Sequence, residues 1–393
     1  MIERNDGESM KLLFVIINME IGGTRSSLIN LLTLLSREKD VELNLLVMSH
    51  HGDLMKSIPQ GVNVLPKEPL LERLFPGEQL HRAWDQIVHG YYHVLRRVRS
   101  YEKVYGCVYE RIAHRISDHY GVFDAVIGYQ EGLSNDLAAS IAAHRHISWI
   151  HSDIDKWFDN CFMSRTYESS DHILFVAEAT QKKFLDRMPL LVSKCRVIKN
   201  TIIPDLILEK SKAESLFVRK SPHTKLLVSV GRIVAEKAYE RVVMASRHLA
   251  DKEIDFQWVI IGDGYQKDEI EKQIQENGLE QHVHLLGAMK NPYPVMKQAD
   301  LMVVVSINES QPMVILESLV VGVPVLSTRF NSSEEILGQK PYGIICENSP
   351  EAVTASIENI LTTEGLLQSL GAHVNQFRYD NKEIINSLLE LAR

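Results

Sequence analysis

Short apolar runs alternate with helix-length amphipathic stretches along most of the chain. Leu12–Ile17 is a continuous apolar run of strand length, and a Gly22-Gly23 turn follows. From Ser26 to Ser36 the apolar positions recur every three to four residues, and residues 41–48 (VELNLLVM) are apolar again. Strand, turn, helix and strand in that order predict a β–α–β unit, whose strands are buried on both faces and so need no polar alternation. Further strands are expected at 124–129, 146–151, 172–177 and 195–200, then at 225–231, 256–262, 282–287, 301–306, 323–328 and 342–346. In the second half about one helix of sequence separates each from the next, the pattern of a parallel doubly wound sheet.

The stretch Thr201 to Thr224 lacks this pattern and holds two prolines and several charges. It is expected to carry the chain between two α/β domains, 1–203 and 204–375. The remainder, 376–393, holds an amphipathic helix (Ile384, Ile385, Leu388, Leu389) that is too short to be stable unless it docks. One other segment departs from the alternation. From Leu70 to Tyr120 the sequence is almost wholly helix-like. Tyr91, Val94, Leu95, Val98, Tyr101, Tyr105 and Val108 fall at helical spacing, with Arg96, Arg97, Arg99 and Lys103 on the other side. Either the helix near 91–108 packs on a core with a solvated basic face, or it lies on an anionic membrane surface.

Length and composition narrow the field. At 393 residues the chain is too long for one core, and two or three domains are expected. With 45% hydrophobic and 24% charged residues it is neither disordered nor collagen-like. A net charge of −8 disfavours bulk polyanion binding, so no nucleic-acid partner is expected. No apolar run reaches the roughly 18–20 residues of a membrane span. The polar start MIERNDGES precedes a strand-like run without a small-residue cleavage site, so neither a secretory signal nor a transmembrane helix is expected. Cys107, Cys161, Cys195 and Cys346 stand far apart with no C-x-x-C, which fits a reducing cytoplasm better than a zinc site or a disulfide framework.

In doubly wound sheets, ligands bind beyond the carboxyl ends of the strands, so chemistry is sought there. The Gly22-Gly23 turn is either a tight strand-to-helix connection or a close approach of backbone to ligand. It does not spell G-x-G-x-x-G, so a dinucleotide fingerprint is not supported. In SVGRIVAEKAYERVV, Arg232 follows strand and glycine, and Lys237 is expected at the start of the next helix. Together they can neutralise a diphosphate leaving group. Gly262, with Gly264, and Gly287 mark turns at strand ends where backbone can approach a nucleotide. Glu309 is expected to end a buried strand. Ser310, Gln311, Pro312, Met313 and Val314 then lead into a helix, with Pro312 in its first turn. The first carboxylate and the loop N–H groups suit a sugar diphosphate. Glu317, inside an otherwise apolar helix, either accepts the hydroxyls of a ribose or pairs with a neighbour, because a buried carboxylate must be bonded.

These motifs carry a resemblance. GRIVAEK, IIGDG, HLLG with KNPYP, ESQPMVILESLVVGVPVLST, and SSEEILG with YGIIC resemble glycosyltransferase family 4 in order and roughly in spacing, with Glu309 and Glu317 as its paired glutamates. The first half is similar more loosely, through IGGTRSSL, VIGYQEGL and ISWIHSDID. The resemblance implies the GT-B fold: two Rossmann-like doubly wound domains facing across a cleft, with the C-terminal helix returning to the N-terminal domain. It implies a retaining transfer of a hexosyl or N-acetylhexosaminyl group without a covalent protein nucleophile. The donor would be a nucleotide sugar, UDP foremost, and the acceptor a hydroxyl of a glycan, lipid-linked or polymer molecule, as in cell-envelope polysaccharide biosynthesis at the cytoplasmic membrane face.

On the same resemblance the C-terminal domain binds the donor. Gly231, Arg232 and Lys237 hold its diphosphate, Glu309 its sugar and Glu317 its ribose. The N-terminal domain binds the acceptor, with Gly22, Gly23, Thr24, Tyr129, Gln130, Glu131, His151 and Asp153 lining the transfer point. Catalysis would fall to Glu309, Arg232, Lys237 and His151. Ser310 and Gln311 stand where many members have Gly and an aromatic residue, which leaves the donor sugar open, and Ala238 stands where Gly is usual. No metal is expected. Asp153-Ile154-Asp155 spells the D-x-D metal signature of an unrelated fold, but lies in the first domain. The alternatives are a GT-B sugar-nucleotide epimerase and a catalytically inactive binding or scaffold protein.

Overall fold

The structure, a computed structural model, describes residues 9–74, 101–152, 161–338 and 340–393. They form two compact units. One takes in Met1–Thr201 and Asp380–Arg393, the other Ile202–Tyr379.

The first unit is built on seven parallel strands: β1 (Met10–Ile16), β2 (Val41–Val47), β3 (Val62–Val64), β4 (Phe123–Gly128), β5 (Ala143–Ile150), β6 (His172–Phe175) and β7 (Cys195–Val197), in the order β3-β2-β1-β4-β5-β6-β7. Leu12 sits opposite both Leu43 and Ala125. Leu12, Leu13, Phe14 and Val15 are all fully buried, so both faces of β1 are covered, and this is why its sequence is a continuous apolar run. Helix Gly23–Leu35 follows and buries Leu28, Leu31, Leu32 and Leu35. The last helix, Lys382–Ala392, packs against it and buries Ile384, Ile385 and Leu388.

The second unit has six parallel strands: β8 (Lys225–Val230), β9 (Phe256–Ile261), β10 (Val283–Leu285), β11 (Leu301–Val304), β12 (Val325–Thr328) and β13 (Gly343–Cys346), ordered β10-β9-β8-β11-β12-β13. Alternate residues feed two cores. Leu226, Val228, Val259, Met302 and Val325 enter one. Leu227, Trp258, Ile260, Val303 and Leu326 enter the other. Strand order reverses between β8 and β11, and in the first unit between β1 and β4. Such reversals leave a crevice at the strands' carboxyl ends.

Three details differ from the sequence expectation. Strand β3 was not foreseen, because three residues with only Val62 buried make no visible run. The expected linker contains helix Pro204–Lys210, which starts on a proline and buries Ile207 in the second unit's core. Of the helix-like stretch, Pro69–Leu74 and Tyr101–Tyr120 are helical, whereas Arg96, Arg97 and Arg99 lie outside the described residues. Among the described residues no helix is long and apolar enough to cross a membrane.

Candidate functional site

In the second unit, three loops at the carboxyl ends of β8, β9 and β10 are stitched together through glycines. Gly231 N–H donates to Ile261 O at 3.0 Å, and Gly262 N–H donates to Gly287 O at 2.9 Å. A Cβ on Gly262 would lie 1.8 Å from Gly231 O, so no other residue fits there. Gly287 is left-handed, with φ 73°. Gly231 faces the stem of Lys237: a Cβ there would meet Lys237 Cε at 3.6 Å and Tyr239 Oη at 3.2 Å.

Arg232 is exposed and has no ion-pair partner among the described residues. Lys237 does not start a helix, as the sequence led us to expect. It closes a 3₁₀ turn, Ala235–Lys237, which Ala238 ends by turning left-handed (φ 52°, ψ 45°); the helix begins at Glu240. Glu309 also departs from expectation. It lies five residues beyond β11, which stops at Val304, in a loop rather than at a strand end. There its Oε1 accepts from Lys237 Nζ and from Ser306 Oγ, the latter at 2.8 Å. Tyr239 is buried close to this pair and donates weakly to Gly231 O at 3.4 Å. Burial, and then the Glu309 charge, push its phenol above the usual range.

Past Glu309, Ser310 is half-buried and Gln311 buried. Pro312 is the N-cap of helix Met313–Val320 rather than part of its first turn, and its own side chain makes no cap hydrogen bond. The N–H groups of Met313 and Val314 therefore have no carbonyl in the helix to bond to, and the helix dipole adds partial positive charge at that end. Glu317 is the fifth residue of this helix. Its Oε1 accepts from Tyr293 Oη at 3.0 Å. Burial raises its pKa above the ordinary carboxylate value, offset in part by that bond and by Lys210. The neighbour reading is met by Tyr293, which takes one carboxylate oxygen.

In the first unit, Gly22 is extended (φ 173°), and a Cβ on it would meet open space. Gly23 and Thr24 open the following helix. At the ends of β4 and β5, Tyr129, Trp149 and His151 stack, with ring centroids 4.8 Å (Tyr129–Trp149) and 4.5 Å (Tyr129–His151) apart. Tyr129 is fully buried, its hydroxyl 3.0 Å from Ser27 Oγ, so it supports the His151 ring from within the core. Glu131 is buried and accepts from the His151 N–H at 2.9 Å and from the Ser152 hydroxyl. Gln130 Oε1 and Trp149 Nε1 are buried with no hydrogen-bond partner among the described residues, and the buried His151 ring has Asn200 beside it. Burial, reinforced by the charge of Arg25 and partly offset by Asn200, pushes His151 down to about 3, so the ring is neutral at physiological pH. Asp153, and with it the D-x-D, lies outside the described residues. Among the described residues no group of three or more His, Cys, Asp or Glu side chains is placed to hold a metal.

Sequence reasoning missed Ser306 and Tyr293 as partners of the two glutamates, and Tyr239 beside Glu309. Tyr239 and Tyr293 stand in quoted motifs, but nothing in their spacing shows which carboxylate each will meet.

Residues 211–377 match the family described as Glycosyl transferases group 1. A curated relative from Campylobacter jejuni, N-acetylgalactosamine-N,N'-diacetylbacillosaminyl-diphospho-undecaprenol 4-alpha-N-acetylgalactosaminyltransferase, is 26% identical over 51% of this chain and 53% of its own. The matches to this and several other curated relatives span about half of those proteins or less. Over 97% of the chain, the fold is similar to that of WaaG, a glycosyltransferase involved in lipopolysaccharide biosynthesis (TM-score 0.68, 13% identity, 99% of that chain). It is also similar to Anabaena Alr3699/HepE in complex with UDP and glucose (TM-score 0.67, 17% identity, 97% of this chain and 98% of that one). The two parallel-sheet units thus have the GT-B fold.

Proposed function

We propose that this chain, whose second unit carries a glycosyl transferases group 1 domain, is a retaining glycosyltransferase that moves a sugar from a UDP-sugar to a hydroxyl of a glycan or lipid-linked acceptor. The observation that carries this reading is the meeting of Lys237 and Glu309 beside Gly231 and Arg232, in the same unit as the N-terminus of the helix that carries Glu317. Arg232, Lys237 and the N–H groups at 313–314 supply positive potential where a diphosphate departs. Glu317 suits the ribose, and Glu309 the sugar.

In this reaction the bond from the sugar's anomeric carbon to the diphosphate oxygen breaks. The acceptor oxygen bonds to that carbon on the same face, and its proton passes to the departing diphosphate. Protein groups bind, orient and stabilise charge. The first unit takes the acceptor. His151, neutral and buried, together with Gln130 and Trp149, offers polar atoms to a hydroxylated ligand. UDP is favoured because a structural neighbour binds it, and a lipid-linked acceptor because the Campylobacter relative's substrate is one. Such an acceptor would place the enzyme at the cytoplasmic face of a membrane, in peripheral contact with it.

The test is nucleotide release across UDP-, GDP- and ADP-sugars, with and without lipid-linked and glycan acceptors. Acceptor-stimulated release of UDP with an unchanged anomeric configuration is expected. No release from any donor would leave a binding or scaffold protein, and donor conversion without an acceptor would indicate an epimerase.

A further inference from the structure

The loop that carries Glu309 has four consecutive carbonyls, each met by a side chain. Thr328 Oγ1 donates to Ser306 O at 2.6 Å and lies 3.4 Å from Val304 O. Arg241 Nη1 donates to Val305 O at 3.0 Å, and Asn348 Nδ2 to Ile307 O at 2.8 Å. The Ile307 N–H in turn donates to Glu236 O at 2.9 Å, tying the loop to the turn that ends in Lys237. A loop whose backbone groups are satisfied this fully opens rarely.

Arg241 is the member of this set that the fold alone does not explain. It is 8% exposed and is the second residue of helix Glu240–Asp251, where the helix dipole disfavours a cation. Its partners are neutral: Val305 O and, at 2.6 Å, Asn348 Oδ1; no carboxylate among the described residues pairs with it. Burying a guanidinium without an anion costs free energy that an apolar side chain of similar length would not incur. Where a residue breaks two local rules at once, a functional constraint is the usual reason. Asn348 links Arg241 to the loop. Its oxygen accepts from Arg241, and its nitrogen donates to Ile307 O and to Arg329 O at 2.9 Å.

We infer that Arg241 and Asn348 are positioning residues for Glu309, fixing loop 304–309 so that the carboxylate already has its working geometry when the donor sugar arrives. The inference rests on the role given to Glu309 above. Neither side chain needs to touch substrate. A displacement of about 1 Å at a group that orients a reacting centre can cost roughly 100-fold in rate.

The experiment measures UDP affinity by calorimetry, and kcat and KM for nucleotide release, in the wild type, Arg241→Met, Arg241→Lys and Asn348→Ala. Arg241→Met and Asn348→Ala are expected to keep the UDP Kd within about 3-fold while kcat falls about 10- to 100-fold. Arg241→Lys should recover part of the loss, since an ammonium reaches one of the two acceptors. Adding Glu309→Gln to Asn348→Ala should cost far less than Glu309→Gln costs alone, because the clamp acts through that carboxylate. Asn348→Ala stands in if Arg241→Met does not fold. Variants with wild-type kcat, or with UDP affinity lost in proportion to kcat, overturn the clamp. A wild type that neither binds UDP nor turns over any donor overturns the reading of Glu309 and the clamp with it.

Discussion

Lys237 and Glu309, 72 residues apart in sequence, are joined by a hydrogen bond from the lysine ammonium to Glu309 Oε1, the same oxygen that Ser306 holds at 2.8 Å. On the proposed roles, the cation assigned to the diphosphate is paired with the carboxylate assigned to the sugar. One bond to Glu309 leaves the ammonium two further N–H donors.

Separating the two roles is the first prediction. Glu309→Gln frees Lys237 and should leave UDP binding equal or slightly tighter, while turnover falls about 100- to 1,000-fold, the usual loss when a preorganised polar contact to the transition state is removed. Lys237→Ala should weaken both UDP binding and turnover. Calorimetry with UDP, run beside nucleotide-release kinetics, checks this; UDP binding that collapses in Glu309→Gln would contradict it.

Glu317 and Tyr293 carry the second. On the proposed reading a ribose hydroxyl donates to the ionised carboxylate, so nucleotide affinity should drop as pH falls through the raised pKa of Glu317, above the usual carboxylate range. Glu317→Ala should weaken UDP binding by about 1.5–3 kcal/mol, the worth of a charged hydrogen bond. Tyr293→Phe removes a bond that lowers that pKa, and should move the acid limb of the binding profile upward in pH. Titrating UDP at several pH values reads both; an unshifted limb in Tyr293→Phe would separate the tyrosine from the site.

A third concerns stability. Asp136 is buried in the first unit with Thr166 Oγ1 donating to it at 2.6 Å, and burial raises it from 3.8 to about 7. The folded state then holds a proton that the unfolded chain has released. Its contribution is fully present below pH 3.8 and is lost as pH rises through about 7. The slope is at most about 1.4 kcal/mol per pH unit across that window. Asp136→Asn keeps the acceptor for Thr166 without the charge. Denaturant midpoints should show the wild type losing stability as pH rises from 3.8 to about 7, and Asp136→Asn should flatten that slope. Parallel curves for the two proteins would assign the trend to another group.

The glycine stitching makes the fourth. Gly262→Ala forces a Cβ to 1.8 Å from Gly231 O, between two backbones that cannot yield cheaply, and should cost about 3 kcal/mol or more and abolish UDP binding. Ala238→Gly should change stability by no more than about 1 kcal/mol, because relief of the left-handed conformation offsets the loss of a buried methyl. Thermal melts with and without UDP decide both.

Chelation supplies the last. With cations at the diphosphate, EDTA should leave nucleotide release unchanged; loss of activity restored by manganese would return Asp153 and Asp155 to consideration as metal ligands.

Strand positions such as Leu12–Ile17 and 225–231 were legible because a strand covered on both faces must be apolar throughout, and that leaves a mark in one dimension. Strand β3 and helix Pro204–Lys210 left none, being too short to show a period. Arg232, Lys237, Glu309 and Glu317 were legible as candidates because charged residues after buried strands, or inside an apolar helix, carry a desolvation cost that needs a reason.

The sequence by itself determined the alternation of strand and helix, the parallel sheets, and the short list of charged groups at strand ends. Tertiary structure decided which of those groups meet. That Glu309 lies beyond its strand and takes Lys237, that Tyr293 holds Glu317, and that a buried Arg241 grips the carbonyl at 305 all depend on side chains brought from distant positions to within about 3 Å. Periodicity is a property of neighbours along the chain and survives in the sequence. A hydrogen bond between positions 64 or 72 residues apart depends on the whole sheet being wound first.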